Sequence, residues 1–353
     1  MLFRSGGDLE KVYFGSSGSE GVEAAIKFAR ATTGRAGIVY AKSSFHGLTT
    51  GALSLMNDVF WREGFGPLLP DTHGVSFGDI DDLESIVASK QHAAFVVEPI
   101  QAEGGVRVPS RAYLQRAQKI CRENGTLFVL DEVQTGMYRT GTFLAAHQLD
   151  VQPDMVVLAK ALSGGLIPVS AVLMTNKIYR AVYSSLRRAI VHASTFSENS
   201  LSMRAGLATL DVLQREQLGT RALDLGESFR AKLRRELAGF DMVNEVRGIG
   251  LLNGIEFVPP KKLAFRALYE AFHKIHPAMF GQILVMRMFR EKGMLTQICG
   301  NNFMVLKAAP PLTVTSEQLD EFVEGIRDVV EMAQTSLTFW TEALAMVRRA
   351  VSI

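Results

Sequence analysis

The chain has 353 residues, 47% hydrophobic and 21% charged, enough for one large domain with a sizeable core and a smaller second one. Its net charge of +2 comes from interspersed signs without a basic stripe, which argues against nucleic acid and anionic membrane surfaces as partners. Two cysteines without CxxC spacing, Cys121 and Cys299, and seven scattered histidines argue against a disulfide framework or a metal site.

The opening MLFRSGGDLE lacks the apolar core of a secretory signal, so a cytoplasmic protein is expected. Val12-Tyr13-Phe14 reads as a short buried strand, followed by Gly15-Ser16-Ser17-Gly18-Ser19-Glu20 and a helix over 21–30. Ser17-x-x-Glu20 matches a capping box, which presents backbone N–H groups at a helix start, a setting that suits phosphate. The loop has neither the lysine of a P-loop nor the spacing of GxGxxG, so it does not read as an ordinary nucleotide site. After a strand over 37–40, Ser44-Phe45-His46-Gly47 places an aromatic at a strand-to-loop exit, where it could serve the core or face a flat ring.

A helix over 81–90 precedes a buried strand over 93–98 that ends in a carboxylate, Glu98, and Pro99 then breaks it. The loop that follows contains Glu103. Residues 110–124 form an amphipathic helix with Ser110 as N-cap, Tyr113, Leu114, Ala117, Ile120 and Cys121 on its apolar face, and Gly125 at the stop. The next buried strand, 126–130, delivers Asp131 and Glu132 at its mouth. About thirty residues later, the length of one strand–crossover–strand unit, the run MVVLAKALSGGLIPVS carries a lone cation, Lys160. Its glycine pair and Pro168 rule out a membrane span. This spacing places Asp131 and Lys160 at the carboxyl ends of parallel strands, the edge where open α/β sheets bind ligands. An ammonium in apolar surroundings is expected to lose its proton readily and attack a carbonyl. A surface lysine closing a strand is the plainer alternative.

Another strand covers 170–175 and a polar loop 192–199. The helix over 200–215 is expected to turn Leu201, Ala205, Ala208 and Val212 inward. Leu225, Phe229, Leu233 and Leu237 line the next helix. From about residue 216 the composition reads as a smaller α+β domain, with strands in 246–257 and 303–307 and helices over 282–292 and from Thr315-x-x-Gln318 to about 333. His273 and His276 read as a helix-end pair. The tail from 336 repeats Leu337, Trp340, Leu344, Val347 and Val351 at helical spacing, a docking helix or, less simply, a partner-binding stripe.

A phosphate loop at a helix start, a strand-end acid, an aromatic and an amine suit a phosphorylated pyridine aldehyde. The loop holds the phosphate, the aromatic lies on the ring, the acid keeps the ring nitrogen protonated, and the lysine joins the aldehyde. The stretches SSGSEGVEAAIKFAR, SFHGLTTGALSLM, VVEPIQAEGGVRVP, LFVLDEVQTGMYRTG, PDMVVLAKALSGGLIPVSAV, HASTF, VRGIGLLNGIEF and LKAAPPL resemble the class III pyridoxal-phosphate aminotransferases, from about residue 12 to 330. The ornithine, acetylornithine, putrescine and 4-aminobutyrate enzymes belong to that family. The resemblance implies an α/β fold, a mixed, mostly parallel seven-stranded sheet with helices on both faces, and a small C-terminal α+β domain. The division expected is 1–215, 216–335 and a helical tail over 336–353.

The resemblance also implies pyridoxal 5′-phosphate as cofactor, with Lys160 and Asp131 catalytic. Gly18 and Ser19 would hold the phosphate, Phe45 and His46 would border the ring, and Glu98 would stand near Lys160. Val133 and Gln134 would flank the ring and its 3-hydroxyl, and Thr195 would reach the neighbouring subunit's phosphate in a homodimer. The expected reaction moves an amino group from an ω-amino acid or diamine to a 2-oxo acid such as 2-oxoglutarate. A glutamate-1-semialdehyde-type aminomutase and a catalytically weak, cofactor-binding homologue are the alternatives. Two departures and one match bear on substrate. Leu48 stands where relatives usually carry a basic residue, and Lys307 stands where the ornithine enzymes carry a carboxylate-anchoring arginine. Glu103 matches the acid that gates that anchor. Relatives also carry roughly a further hundred residues before the phosphate loop, the size of a small domain.

Overall fold

The computed structural model describes residues 1–341. The chain divides into two compact units, one of residues 1–102 and 108–222, the other of Glu103–Arg107 together with the chain from Leu223 onward.

The first unit is built on seven strands: β1 (Leu9–Gly15), β2 (Gly37–Ala41), β3 (Thr72–Val75), β4 (His92–Val97), β5 (Leu127–Asp131), β6 (Met155–Leu158) and β7 (Ser170–Thr175). Their order across the sheet is β1-β7-β6-β5-β4-β2-β3. The five strands from β6 to β3 run parallel, and β7 and β1 join antiparallel, so the expected mixed, mostly parallel sheet is present. β2, β4, β5 and β6 are buried at every residue, the pattern of strands covered on both faces. The edge strands β1 and β3 are only partly buried.

The helix Gly18–Thr33 covers one face with Val22, Ala25, Ile26, Phe28 and Ala29, packed against Ala94, Val96, Val129, Val157 and Val172. Its first turn lies unusually close to β6. A Cβ at Gly21 would stand 2.6 Å from a methyl of Val157, so only glycine permits this approach. Alternation sends Phe95 and Phe128 to the other face, where their rings lie 6.3 Å apart. The helix Arg111–Asn124 covers β5 with the apolar face and caps read from its sequence: Ser110 Oγ accepts from the Tyr113 N–H, and Gly125 closes it at φ 65°.

Two expectations fail here. The helix Ser200–Arg215 buries Ser202, Gly206, Leu210 and Leu213, while Leu201 is exposed and Ala205 and Val212 are only partly covered. The two candidate stripes are one position apart, and packing rather than hydropathy selected the one with small residues. The capping box at Ser17 is half formed. Ser17 Oγ accepts from the Glu20 N–H, but Glu20 returns its carboxylate to the Ser16 N–H.

The second unit carries a four-stranded antiparallel sheet of β8 (Val243–Ile249), β9 (Leu252–Phe257), β10 (Gln297–Cys299) and β11 (Asn302–Ala308), in the order β10-β11-β9-β8. The helix Ser316–Thr335 begins with a complete capping box at Thr315 and Gln318. Of the helix Leu263–Ile275 only the end, at His273 and His276, is expected from the sequence; Phe265, Tyr269 and Phe272 form its buried side, and His276 caps its end. Trp340 is fully buried, stacked on Phe280 at 6.0 Å and beside Phe272 at 5.6 Å, with its indole N–H on the Ala333 carbonyl. Leu337 is exposed, and Leu344, Val347 and Val351 lie outside the described residues. Among the described residues no helix is long and apolar enough to cross a membrane, and no group of three metal-ligating side chains occurs. Cys121 and Cys299 are free thiols, both buried.

Glu132 explains the second acid at the mouth of β5. Its buried carboxylate accepts from the N–H groups of Ala145 (2.7 Å) and Ala146 (2.9 Å) and from the Thr135 hydroxyl (3.1 Å), which ties down the turn after β5. Burial outweighs these donors and pushes the carboxyl from 4.5 up to about 7. A group that keeps its proton longer in the folded chain than in the unfolded one costs stability as pH rises through that interval. Urea unfolding should therefore show stability falling between pH 4.5 and 7, by at most about 1.4 kcal/mol per pH unit for each such carboxyl. Glu132→Gln should lower stability overall and flatten this slope; an unchanged slope would disprove the assignment.

Candidate active site

The carboxyl ends of β4, β5 and β6 bring three groups to one edge. Val97 pairs with Leu130 and Asp131 with Val157, so Glu98 lies level with Asp131, and Lys160 follows three residues beyond Asp131's partner. Lys160 leaves the strand at φ 44°, a left-handed conformation that lysine seldom adopts, and starts a short 3₁₀ turn over Lys160–Ser163. Such strain concentrates at functional positions. The expectation that Lys160 sits among apolar groups is not met. The strand behind it is fully buried, but this turn carries the lysine itself out to solvent.

Asp131 is 4% exposed and held from two sides. Its Oδ2 is 2.8 Å from His46 Nδ1, and its Oδ1 accepts from the Val133 N–H at 3.0 Å. If Nδ1 donates to the carboxylate, Nε2 of His46 is left as an acceptor, and it is buried without a hydrogen-bond partner among the described residues. Glu98 Oε1 accepts from the Phe45 N–H (2.9 Å) and Oε2 from the Ala102 N–H (3.1 Å), so one carboxylate fixes both loops. Burial pushes the Glu98 carboxyl up to about 7; His46 opposes the rise and the charge of Asp131 adds to it.

The start of the helix Gly18–Thr33 reaches the same edge. A Cβ at Gly18 would meet both Val133 methyls at 3.1 Å and the Ala159 Cβ at 3.7 Å, so this glycine nests against the residue that precedes Lys160. Gly47, at φ 119°, packs on Ser19. The N–H groups of Gly18 and Ser19 are first-turn donors with no intrahelical acceptor, a setting that favours an anion. Phe45 and Gln134 are half-buried at the rim.

Gly18, Ser19, Phe45, His46, Glu98, Asp131, Val133 and Lys160 are thus gathered at one sheet edge. Thr195 is exposed on the loop before Ser200, and no described contact ties it to this group. In the second unit, Lys307 is ion-paired with Glu103, both buried. Glu103 Oε2 also accepts from the Gly300 N–H (2.8 Å), and its carbonyl accepts from the Asn301 N–H (2.9 Å). Residue reading missed the roles of Glu132, Gly47 and Ala159. The doubled acid at 131–132 was the one available signal.

These residues fit a phosphorylated pyridine. Paired donors at a helix start suit the phosphate, a fixed carboxylate suits a ring N–H, and the unpartnered His46 Nε2 is a buried acceptor that a ligand or a water brought with it would satisfy.

Residues 1–330 match the family described as Aminotransferase class-III. The chain is similar to Aminotransferase PigE of Serratia sp., 34% identical over 94% of this chain and 42% of that protein. It is 36% identical to the ornithine aminotransferase of Exiguobacterium sp., over 91% of this chain and 74% of the relative. It also superposes on the ornithine aminotransferase of Toxoplasma gondii, described with partial occupancy of PLP at its active site, with a TM-score of 0.80 and 33% identity. That match covers 91% of this chain and 72% of the other. The family implies pyridoxal 5′-phosphate, an amine and a 2-oxo acid, and this chain belongs to the class-III aminotransferases.

Proposed function

We propose that this aminotransferase moves an amino group from an ω-amino acid or a diamine, ornithine- or putrescine-like, to a 2-oxo acid such as 2-oxoglutarate. The two half-reactions alternate in a ping-pong cycle in the cytoplasm. When bound, pyridoxal 5′-phosphate would supply an electrophilic aldehyde carbon and a cationic ring that draws electrons from the donor carbon bearing the reacting amine. Lys160 would hold the aldehyde through Nζ and, when free, its amine would carry a proton from and to the donor carbon that bears the reacting amine. Asp131 would accept the ring N–H, and His46 and the Val133 N–H keep its oxygens from rotating. Gly18 and Ser19 would hold the phosphate, and Phe45, Val133 and Gln134 would border the ring. The proposed assembly is a homodimer in which the exposed Thr195 serves the other copy's phosphate.

The observation that carries the donor class is the pair of Glu103 and Lys307. A covered ammonium does not call for a carboxylate, so a donor that presents a terminal amine meets no unmatched cation. A 2-oxo dicarboxylate brings its own anion to Lys307, and Glu103 must then give way. Lysine offers one point charge rather than a planar fork, so it tolerates more than one carboxylate orientation.

Borohydride reduction should fix the cofactor to the wild-type chain and not to Lys160→Ala, read as a mass increase on one peptide. Asp131→Asn should still be labelled but lose at least about 10²-fold in kcat. Label on Lys160→Ala would refute this assignment. Glu103→Ala should lower kcat/KM for terminal amines about tenfold or more relative to glutamate, the scale of a lost hydrogen bond to a charged group. Equal losses with both donors would remove the gate. Turnover that needs no added 2-oxo acid would instead indicate an aminomutase.

A further inference from the structure

We propose that Arg247 is the positioning residue of the Glu103–Lys307 pair. Together with Gly254 it seats the segment Glu103–Arg107 so that Glu103 meets Lys307, and it thereby sets the preference between terminal amines and glutamate as donors. This rests on the transaminase reading above and on its gate, and deepens both.

The register of the second unit's sheet creates the seat. Gly254 on β9 pairs with Arg247 on β8 and with Lys307 on β11. Residues directly opposite in antiparallel strands share a face, so the two cations stand in one row with a glycine between them. That glycine leaves a slot, and Val106 fills it. A Cβ at Gly254 would stand 3.1 Å from both Cβ and Cγ2 of Val106. The segment 103–107 therefore lies across this row. Glu103 is ion-paired with Lys307 on β11, Val106 sits on Gly254 of β9, and the Gly105 carbonyl accepts from Arg247 Nε on β8 at 2.9 Å.

Arg247 is itself immobilised. Its Nη1 donates to Glu245 Oε2 and to Glu256 Oε2, both at 2.6 Å, and its side chain is 15% exposed. The planar guanidinium keeps separate N–H groups for these carboxylates and for the Gly105 carbonyl, a fork that a lysine ammonium cannot reproduce. The backbone it holds resists that shape. Val106 has φ 51°, a left-handed conformation that strains a β-branched residue and persists only where its surroundings impose it. Arg247 and Gly254 supply the imposition at residues 105 and 106. Glu103, two residues away, is then the end whose side chain can leave Lys307 while the backbone behind it stays seated.

The test uses the full chain loaded with cofactor, with putrescine or ornithine and, separately, glutamate as donors. Two variants unseat the segment by different routes, so that a folding failure in one leaves the other. Arg247→Lys loses the fork, and Gly254→Ala fills the slot beneath Val106. Each should lower kcat/KM for the terminal amine by about two- to tenfold relative to glutamate, the scale of one hydrogen bond. In the Glu103→Ala background neither should change that ratio further, because the group they position is gone. An arginine with only a structural role would lower the thermal midpoint and both donors together. A second readout needs no turnover. The Gly300 and Asn301 N–H groups both donate to Glu103, and their hydrogen exchange should quicken in both variants while the helix Ser316–Thr335 stays protected. Equal losses with both donors, a loss that persists in the Glu103→Ala background, or unchanged exchange at Gly300 and Asn301 overturns the proposal. If Glu103→Ala itself leaves the donor ratio unchanged, the gate fails and the preference assigned to Arg247 falls with it. If no amine supports turnover, the transaminase reading fails. In both cases the exchange measurement still decides whether Arg247 seats the segment.

Discussion

The contact between the Asp131 carboxylate and the His46 imidazole constrains the whole active edge. A carboxylate at 4% exposure persists only when its oxygens are satisfied, and here one is met by a ring nitrogen at 2.8 Å and the other by the Val133 N–H at 3.0 Å. Because His46 arrives on the loop after β2 and Asp131 at the end of β5, the contact fixes that loop across the sheet's carboxyl edge. Phe45, on the same loop, is fixed in turn by Glu98. Asp131 is thus oriented by two loops before anything binds.

Close packing does for the start of the helix Gly18–Thr33 what hydrogen bonds do for the acid. Gly21 lets the helix Gly18–Thr33 rest on Val157, and Gly18 then falls against Val133 and Ala159. A side chain at either position would lift the helix start from the strand that carries Lys160. The glycines therefore act as spacers between donors and amine, and their conformational freedom is incidental.

Glu103 shows the opposite economy. Its carboxylate is committed to Lys307 and Gly300, and its backbone to Asn301, all within the second unit. Removing one member of a buried pair strands the other charge, so a gate of this kind works only if an incoming anion replaces Glu103 as it leaves.

Where periodicity and caps are local, the order of residues was enough. The helix Arg111–Asn124, its Ser110 cap and its Gly125 stop, the buried β5 and β6, and the candidacy of Asp131 and Lys160 could all be read directly, because each depends on neighbours a few positions away. The resemblance supplied the strand count and the roles proposed for Phe45 and Thr195. Tertiary structure decided what depends on packing between distant segments. It chose Gly206, Leu210 and Leu213 over the adjacent stripe, built the helix Leu263–Ile275 around Phe272 and Trp340, and sent Glu20 to Ser16. It also brought Lys160 out of its apolar run into solvent and gave the second acid of the 131–132 pair a structural task. Hydropathy and spacing record what a residue prefers, but which surface faces it is settled only when the sheet and helices close together.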